Sequence, residues 1–222
     1  MGSKTDKTEI VVLLDRSGSM QTIQSDVVGG LNSYVEGQQA EPGKCKITVI
    51  QFDSVNPHDM LRPRKSINKW TPVRIGEYAP RSQTPLLDAM GRAINEVPDF
   101  EDDRQVVFVA ITDGKENASS EYTTTDIKTL VQRKTDEGWV FVYLGANVDA
   151  FAEAGSMGIR NFERYQGDGQ GIQVAMASAG NVTGAVRRAR SSGTTFSAAN
   201  VYEDLDVERA AQEDFEERST TG

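Results

Sequence analysis

Three runs of residues, 9–15 (EIVVLLD), 105–113 (QVVFVAITD) and 139–145 (WVFVYLG), are aliphatic or aromatic at nearly every internal position. Side chains of a strand alternate between its two faces, so a run that is apolar throughout has to be covered on both sides. Central strands of a parallel sheet with helices on each face meet that requirement. A fourth run, 46–53 (KITVIQFD), alternates more and is expected nearer an edge, where the polar stretch around Met60 to Ile67 can pair with it as an antiparallel hairpin.

Between these runs the period changes from two to about four. Ile23, Val27, Leu31 and Val35 form one helical stripe, Leu86, Met90 and Ile94 a second, and Ile127, Leu130 and Val131 a shorter third. Alternating strand and helix predict an α/β fold, a doubly wound and mostly parallel sheet with right-handed crossovers and an antiparallel edge strand. Ligands of such sheets bind beyond the carboxyl ends of the strands. Asp15 and Asp113 stand at two of those ends.

Composition narrows the chemistry. The 222 residues carry a formal charge of −9, which does not suit a polyanion-binding or anionic-membrane surface and suits a cation. No nucleic-acid or membrane partner is expected, and no run approaches the ~20 apolar residues a bilayer span needs. Cys45 and His58 are the single residues of their kinds, so a zinc cage of thiolates and imidazoles is ruled out. With one cysteine and no signal-like apolar stretch in MGSKTDKTEI, a reducing, cytoplasmic setting is expected.

Hard oxygen donors remain for metal chemistry, and they cluster in sequence. Asp15-Arg16-Ser17-Gly18-Ser19 closes the first strand, and alternation along that turn lets three side-chain oxygens face one point. Thr84 precedes Pro85-Leu86-Leu87-Asp88-Ala89 at a helix start, and Thr112-Asp113-Gly114 ends a buried strand. Taken singly, each has an ordinary reading: an N-cap for Ser19 or Thr84, a turn for Asp113-Gly114. Together they give two carboxylates and three hydroxyls, a donor set for Mg²⁺ or Mn²⁺, which favour octahedral oxygen coordination.

These residues resemble the von Willebrand factor A (vWA) family and its metal-ion-dependent adhesion site, the MIDAS motif Asp-x-Ser-x-Ser with a later threonine and aspartate. The resemblance covers roughly residues 8–165. It implies direct metal contacts from Ser17 and Ser19, contacts largely through water from Asp15 and Asp113, and a Thr84 that enters or leaves the shell. It also implies a carboxylate from a partner to complete the shell, and for cytoplasmic members an AAA+ ATPase as partner class. The chain departs from the pattern in one place: the family often has glycine before the threonine, where Ser82-Gln83 stand here.

The remainder is organised around that domain. Residues 1–7 read as a tail, 166–199 as a glycine hinge followed by a helix over 172–190 packed on the domain, and 200–222 as an acidic tail that is frayed or disordered without a partner. Arg187, Arg188 and Arg190 read as a solvated helix face. Lys115, Glu116 and Asn117 are expected to rim the metal, and Arg16 either to steer an acidic ligand or to be solvated. The leading expectation is a non-enzymatic protein-interaction module of adaptor or co-chaperone type that captures an Asp or Glu through its metal. One alternative is a metal-assisted phosphoester hydrolase drawing on Lys115, Glu116 or Asp53. The other is a structural assembly or virion component that makes its contacts through the C-terminal segment.

Overall fold

A computed structural model describes residues 6–100, 104–146 and 150–206. Six strands, β1 (Lys7–Asp15), β2 (Lys44–Phe52), β3 (Asp59–Ser66), β4 (Gln105–Thr112), β5 (Val140–Gly145) and β6 (Asn161–Arg164), form one sheet in the order β3-β2-β1-β4-β5-β6. Every pairing is parallel except β2 with β3, which is antiparallel and irregular in register. The α/β architecture and its antiparallel edge are those expected from the runs and their periods. The edge strand carries Arg62, Pro63, Arg64 and Lys65, residues that discourage pairing with a further strand. On the other edge, β6 has no apolar run to announce it and escapes a reading based on hydrophobic pattern.

Helices α1 (Gln24–Ala40) and α5 (Gly169–Ser192) cover one face, and α2 (Leu86–Glu96), α3 (Thr124–Asp136) and the short α4 (Ala150–Ser156) the other. The strands divide their side chains accordingly. Ile10, Val12 and Leu14 of β1 face α1 and α5, while Val11 and Leu13 face α2, and β4 and β5 repeat the alternation. This two-sided burial explains why the central runs lack polar positions. Burying a Val, Leu, Ile or Phe side chain contributes about 1.5–3 kcal/mol.

The chain winds from β1 to β2 on one side and then returns to place β4 on the other side of β1. The topological switch point therefore lies between β1 and β4, at their carboxyl ends. Asp15 ends β1, and Asp113 directly follows β4.

Past Tyr165 the observed structure differs from the hinge expected there. Gly169 and Gly171 lie in the first turn of α5, and the Asp168 carboxylate caps it by accepting from Gly171 N at 2.7 Å. Helix α5 packs closely on α1. A methyl group at Gly30 would stand 2.7 Å from Met176 Sδ, and Tyr34 Oη and Thr183 Oγ1 share a hydrogen bond of 3.0 Å.

Nor does Arg187 belong to a solvated face, although Arg188 beside it is exposed as expected. Arg187 is buried and donates to the carbonyls of Gln38, Glu41 and Pro42, so it closes the carboxyl end of α1, while Arg188 pairs with Glu41. Of the acidic tail, Val201–Asp204 forms one helical turn and residues 207–222 lie outside the described residues. No helix among the described residues is long and apolar enough to cross a membrane.

Candidate metal centre

Asp15 is fully buried at the end of β1, and its carboxylate is held on both oxygens. Ser17 N donates to Oδ1 at 2.7 Å and Thr112 Oγ1 donates to Oδ2 at 2.6 Å. The second contact spans the switch point, because Thr112 closes β4 beside β1. Two tyrosines fix the strand ends themselves: Tyr78 Oη donates to Asp15 O at 2.5 Å, and Tyr165 Oη donates to Thr112 O at 3.1 Å. Burial raises the pKa of both phenols, so both remain donors.

The remaining donors assemble around Asp15. Ser17 begins a 3₁₀ turn over Gly18–Ile23, which carries the chain from strand to α1 and leaves Ser19 exposed. Ser17 Oγ lies 3.0 Å from Ser19 Oγ, and Ser19 Oγ donates to Asp113 Oδ1 at 2.6 Å. Thr84 enters from the loop before α2. A β-carbon placed on Gly114 would stand 3.0 Å from Thr84 Oγ1, 3.7 Å from Ser19 Oγ and 3.8 Å from Asp15 Oδ2. Oxygens of Asp15, Ser19 and Thr84 thus converge beside residue 114, where a side chain would intrude, and Asp113 joins them through Ser19.

Thr84 is the informative member. The residue is largely buried and its backbone is bonded, yet its hydroxyl oxygen keeps access to solvent, makes no hydrogen bond among the described residues and stands beside Gly114 with Ser19 Oγ and Asp15 Oδ2. An oxygen-seeking cation is the kind of group that would satisfy it, and the donor set of two carboxylates and three hydroxyls fits such an ion. Among the described residues no group of three or more His, Cys, Asp or Glu could hold a metal, so this donor set depends on its hydroxyls beside two carboxylates.

Electrostatics agree with this fit. Burial pushes the Asp15 carboxyl up to about 7, against the hydrogen bonds from Thr112 and Ser17, with the Asp113 charge adding to the rise. Burial also raises Asp113. Two carboxyls driven toward protonation in a shared pocket form a place where positive charge is favourable.

Several neighbours behave differently from expectation. Arg16 neither steers nor lies in solvent: it is buried, with Nε and Nη2 at 2.7 Å from Asp53 Oδ2 and Nη1 at 2.7 Å from Asp59 Oδ2. Burial works against the Asp53 charge, yet the hydrogen bond from Arg81, the amides of Asn56 and Val55 and the Arg16 charge hold its pKa below the usual carboxylate value. Glu116 turns inward and accepts from Leu87 N, Ala118 N, Ser119 N and Ser119 Oγ at 2.7–2.9 Å. Asn117 braces Thr84 by accepting from its amide at 2.9 Å.

Where the vWA pattern often has glycine, Ser82 takes a φ of 65°, a left-handed conformation that costs a non-glycine residue free energy. Its carbonyl accepts from Gly18 N at 3.0 Å, tying the threonine loop to the serine loop. Gly114, Asn117, Tyr78 and Tyr165 are the supporting residues that sequence reasoning missed in these roles. Gly114 and Asn117 carried a local signal, since both closely follow Asp113 and Asn117 is expected at the rim, whereas nothing beside Tyr78 or Tyr165 marked them.

No protein-family model and no curated protein sequence matches the chain. Solved structures do. A von Willebrand factor type A protein from Catenulispora acidiphila aligns with a TM-score of 0.57 and 12% identity over 79% of this chain and 42% of that one. Proximal thread matrix protein 1 of the mussel byssus aligns at 0.54 and 16% identity over 81% of this chain and 47% of that one. The pilus adhesin SpaC of Lactobacillus rhamnosus GG aligns at 0.57 and 13% identity over 78% of this chain and 30% of that one. The chain spans less than half the length of each of these structures. At these identities the likeness is one of fold, and the fold is the Rossmann-like α/β fold of vWA domains.

Proposed function

We propose that the chain is a non-enzymatic protein-interaction module in which Asp15, Ser17, Ser19, Thr84 and Asp113 hold Mg²⁺ or Mn²⁺ as a MIDAS. The observation that carries the reading is the convergence of Thr84 Oγ1, Ser19 Oγ and Asp15 Oδ2 beside Gly114, with the Thr84 hydroxyl making no hydrogen bond among the described residues. The vWA fold supports it, as does the position of the cluster at the switch point of the sheet. One mussel thread matrix structure, aligned at a TM-score of 0.50, has a zinc-occupied MIDAS motif. Bound here, the cation would offer an incompletely neutralised charge to an Asp or Glu of a partner, because most of its donors are neutral hydroxyls.

The side chains divide the remaining work. Ser19 is exposed and marks the open side by which a partner reaches the site, while Asp15 and Ser17 are buried beneath it. The hydrolase reading loses support because two of its candidate bases are engaged: Asp53 by Arg16 and Arg81, and Glu116 by three backbone amides and a serine hydroxyl. Isothermal titration with MnCl₂ and MgCl₂ tests the metal. Saturable binding by the parent that Asp15→Ala abolishes is expected, and absence of binding, or equal binding by the variant, overturns the reading. A pull-down with and without Mg²⁺, using the same variant as control, tests whether capture of a protein depends on the metal.

A further inference from the structure

Beside the proposed metal site stands a cation that the five-residue cluster does not use. Arg81 precedes Thr84 by three residues and is bolted to the serine loop: Arg81 N donates to Arg16 O at 2.8 Å, and the next residue's carbonyl, Ser82 O, accepts from Gly18 N at 3.0 Å. Its Nε donates to Asp53 Oδ2 at 2.9 Å, and its side chain is about half exposed. Nη1 and Nη2 make no hydrogen bond among the described residues. Asp53 is already engaged by Arg16 through Nε and Nη2 at 2.7 Å. Arg81 is thus oriented by a carboxylate that does not consume its outer edge.

We infer that Arg81 is a second acid-binding contact, so that the segment captured at this site presents two carboxylates, one toward the metal and one toward the Arg81 guanidinium. The inference rests on the metal-site reading and names the partner chemistry within it: an acidic peptide segment of paired Asp or Glu residues. A guanidinium fork recognises a carboxylate through two parallel N–H donors, and a charge-assisted bond of this kind is stronger than a neutral one. Anchoring by Asp53 leaves little side-chain freedom to lose on binding. On a chain of net charge −9, an exposed cation fixed beside the cluster also brings an acidic segment to one side of the opening.

The probes are fluorescein-labelled glycine peptides bearing one Asp, or two Asp separated by zero to three glycines, read by fluorescence anisotropy in MnCl₂ or EDTA. Arg81→Gln and Asp15→Ala are compared with the parent, and Arg133→Gln removes the same charge at the far end of α3. At least one two-Asp peptide is expected to bind the Mn²⁺-loaded parent and Arg133→Gln roughly fivefold tighter than the one-Asp peptide. Arg81→Gln should lose that preference while keeping its one-Asp affinity and its Mn²⁺ titration. If the one-Asp peptide binds with Mn²⁺ but no two-Asp peptide gains, or Arg81→Gln keeps the gain, the Arg81 contact is overturned and the metal reading stands. If two-Asp peptides bind equally in EDTA and to Asp15→Ala, yet not to Arg81→Gln, the metal reading fails and the anion contact survives. No binding of any peptide under any condition overturns the two-carboxylate inference, and the Mn²⁺ titration then decides the metal separately.

Discussion

Thr84 and Asn117 exchange two hydrogen bonds between loops, Thr84 N to Asn117 Oδ1 at 2.9 Å and Asn117 N to Thr84 O at 3.2 Å. The pairing makes the position of the threonine hydroxyl depend on the loop that carries Asp113. Groups that orient metal ligands typically contribute 10–100-fold to metal affinity. Asn117→Ala is therefore expected to weaken Mn²⁺ binding by roughly tenfold in calorimetry, with the thermal unfolding midpoint of the metal-free protein little changed.

Gly114→Ala places a carbon 3.0 Å from Thr84 Oγ1, where the oxygens converge. Mn²⁺ affinity should fall by about tenfold or more, the equivalent of roughly 1.4 kcal/mol. Circular dichroism should show the parent secondary structure, because no strand or helix includes residue 114. Unaltered affinity would mean that the metal, if bound, lies elsewhere.

The raised Asp15 carboxyl has a consequence for stability with a definite sign. Burial pushes it up to about 7 in the folded protein against 3.8 for an aspartate in water, so between those limits the folded state holds more protons than the unfolded one. Its contribution is then fully present below pH 3.8 and is lost as pH rises through about 7. In EDTA, urea unfolding should show roughly 1–2 kcal/mol less stability at about pH 7.5 than at about pH 5.5. Asp15→Asn should flatten that dependence, and saturating Mn²⁺ should reverse it, since the ion favours the ionised carboxylates. A metal-free profile with no such slope would place Asp15 in a more solvated setting than the one described.

Arg16→Ala leaves Asp53 buried with only the half-exposed Arg81 as a charged partner. Removing one member of a buried pair typically costs about 3–5 kcal/mol. Since Arg81 and two amides still serve Asp53, a loss near the lower end is expected in urea denaturation. A change under about 0.5 kcal/mol would class the pair with ordinary surface ion pairs.

Legibility in the sequence followed the range over which each interaction is encoded. Residues 9–15 and 105–113 announce buried strands because two-sided burial acts on every position of a run, and Asp15, Ser17 and Ser19 announce themselves because one turn holds them. Strand β6 has four residues, NFER, and is defined by pairing with β5 rather than by its own pattern. Arg16 was misread because its partners, Asp53 and Asp59, are 37 and 43 residues away. Tyr78 and Tyr165 reach strand-end carbonyls at separations of 63 and 53 residues, and nothing beside them in sequence marks that role.

Helix α5 also decides how small a working piece of this protein can be. Its buried stripe of Ile172, Ala175, Met176, Ala179, Val182 and Val186 fills the space against α1 and the sheet, and Arg187 closes α1 from the same helix. A fragment ending at Tyr165 would keep every oxygen of the metal cluster and expose to water the part of the sheet and of α1 that α5 covers. Such a fragment would aggregate or unfold with its recognition residues intact. Recombinant pieces intended to carry the site therefore have to extend through Ser192, so the binding surface and its distant helical cover are inherited or lost together.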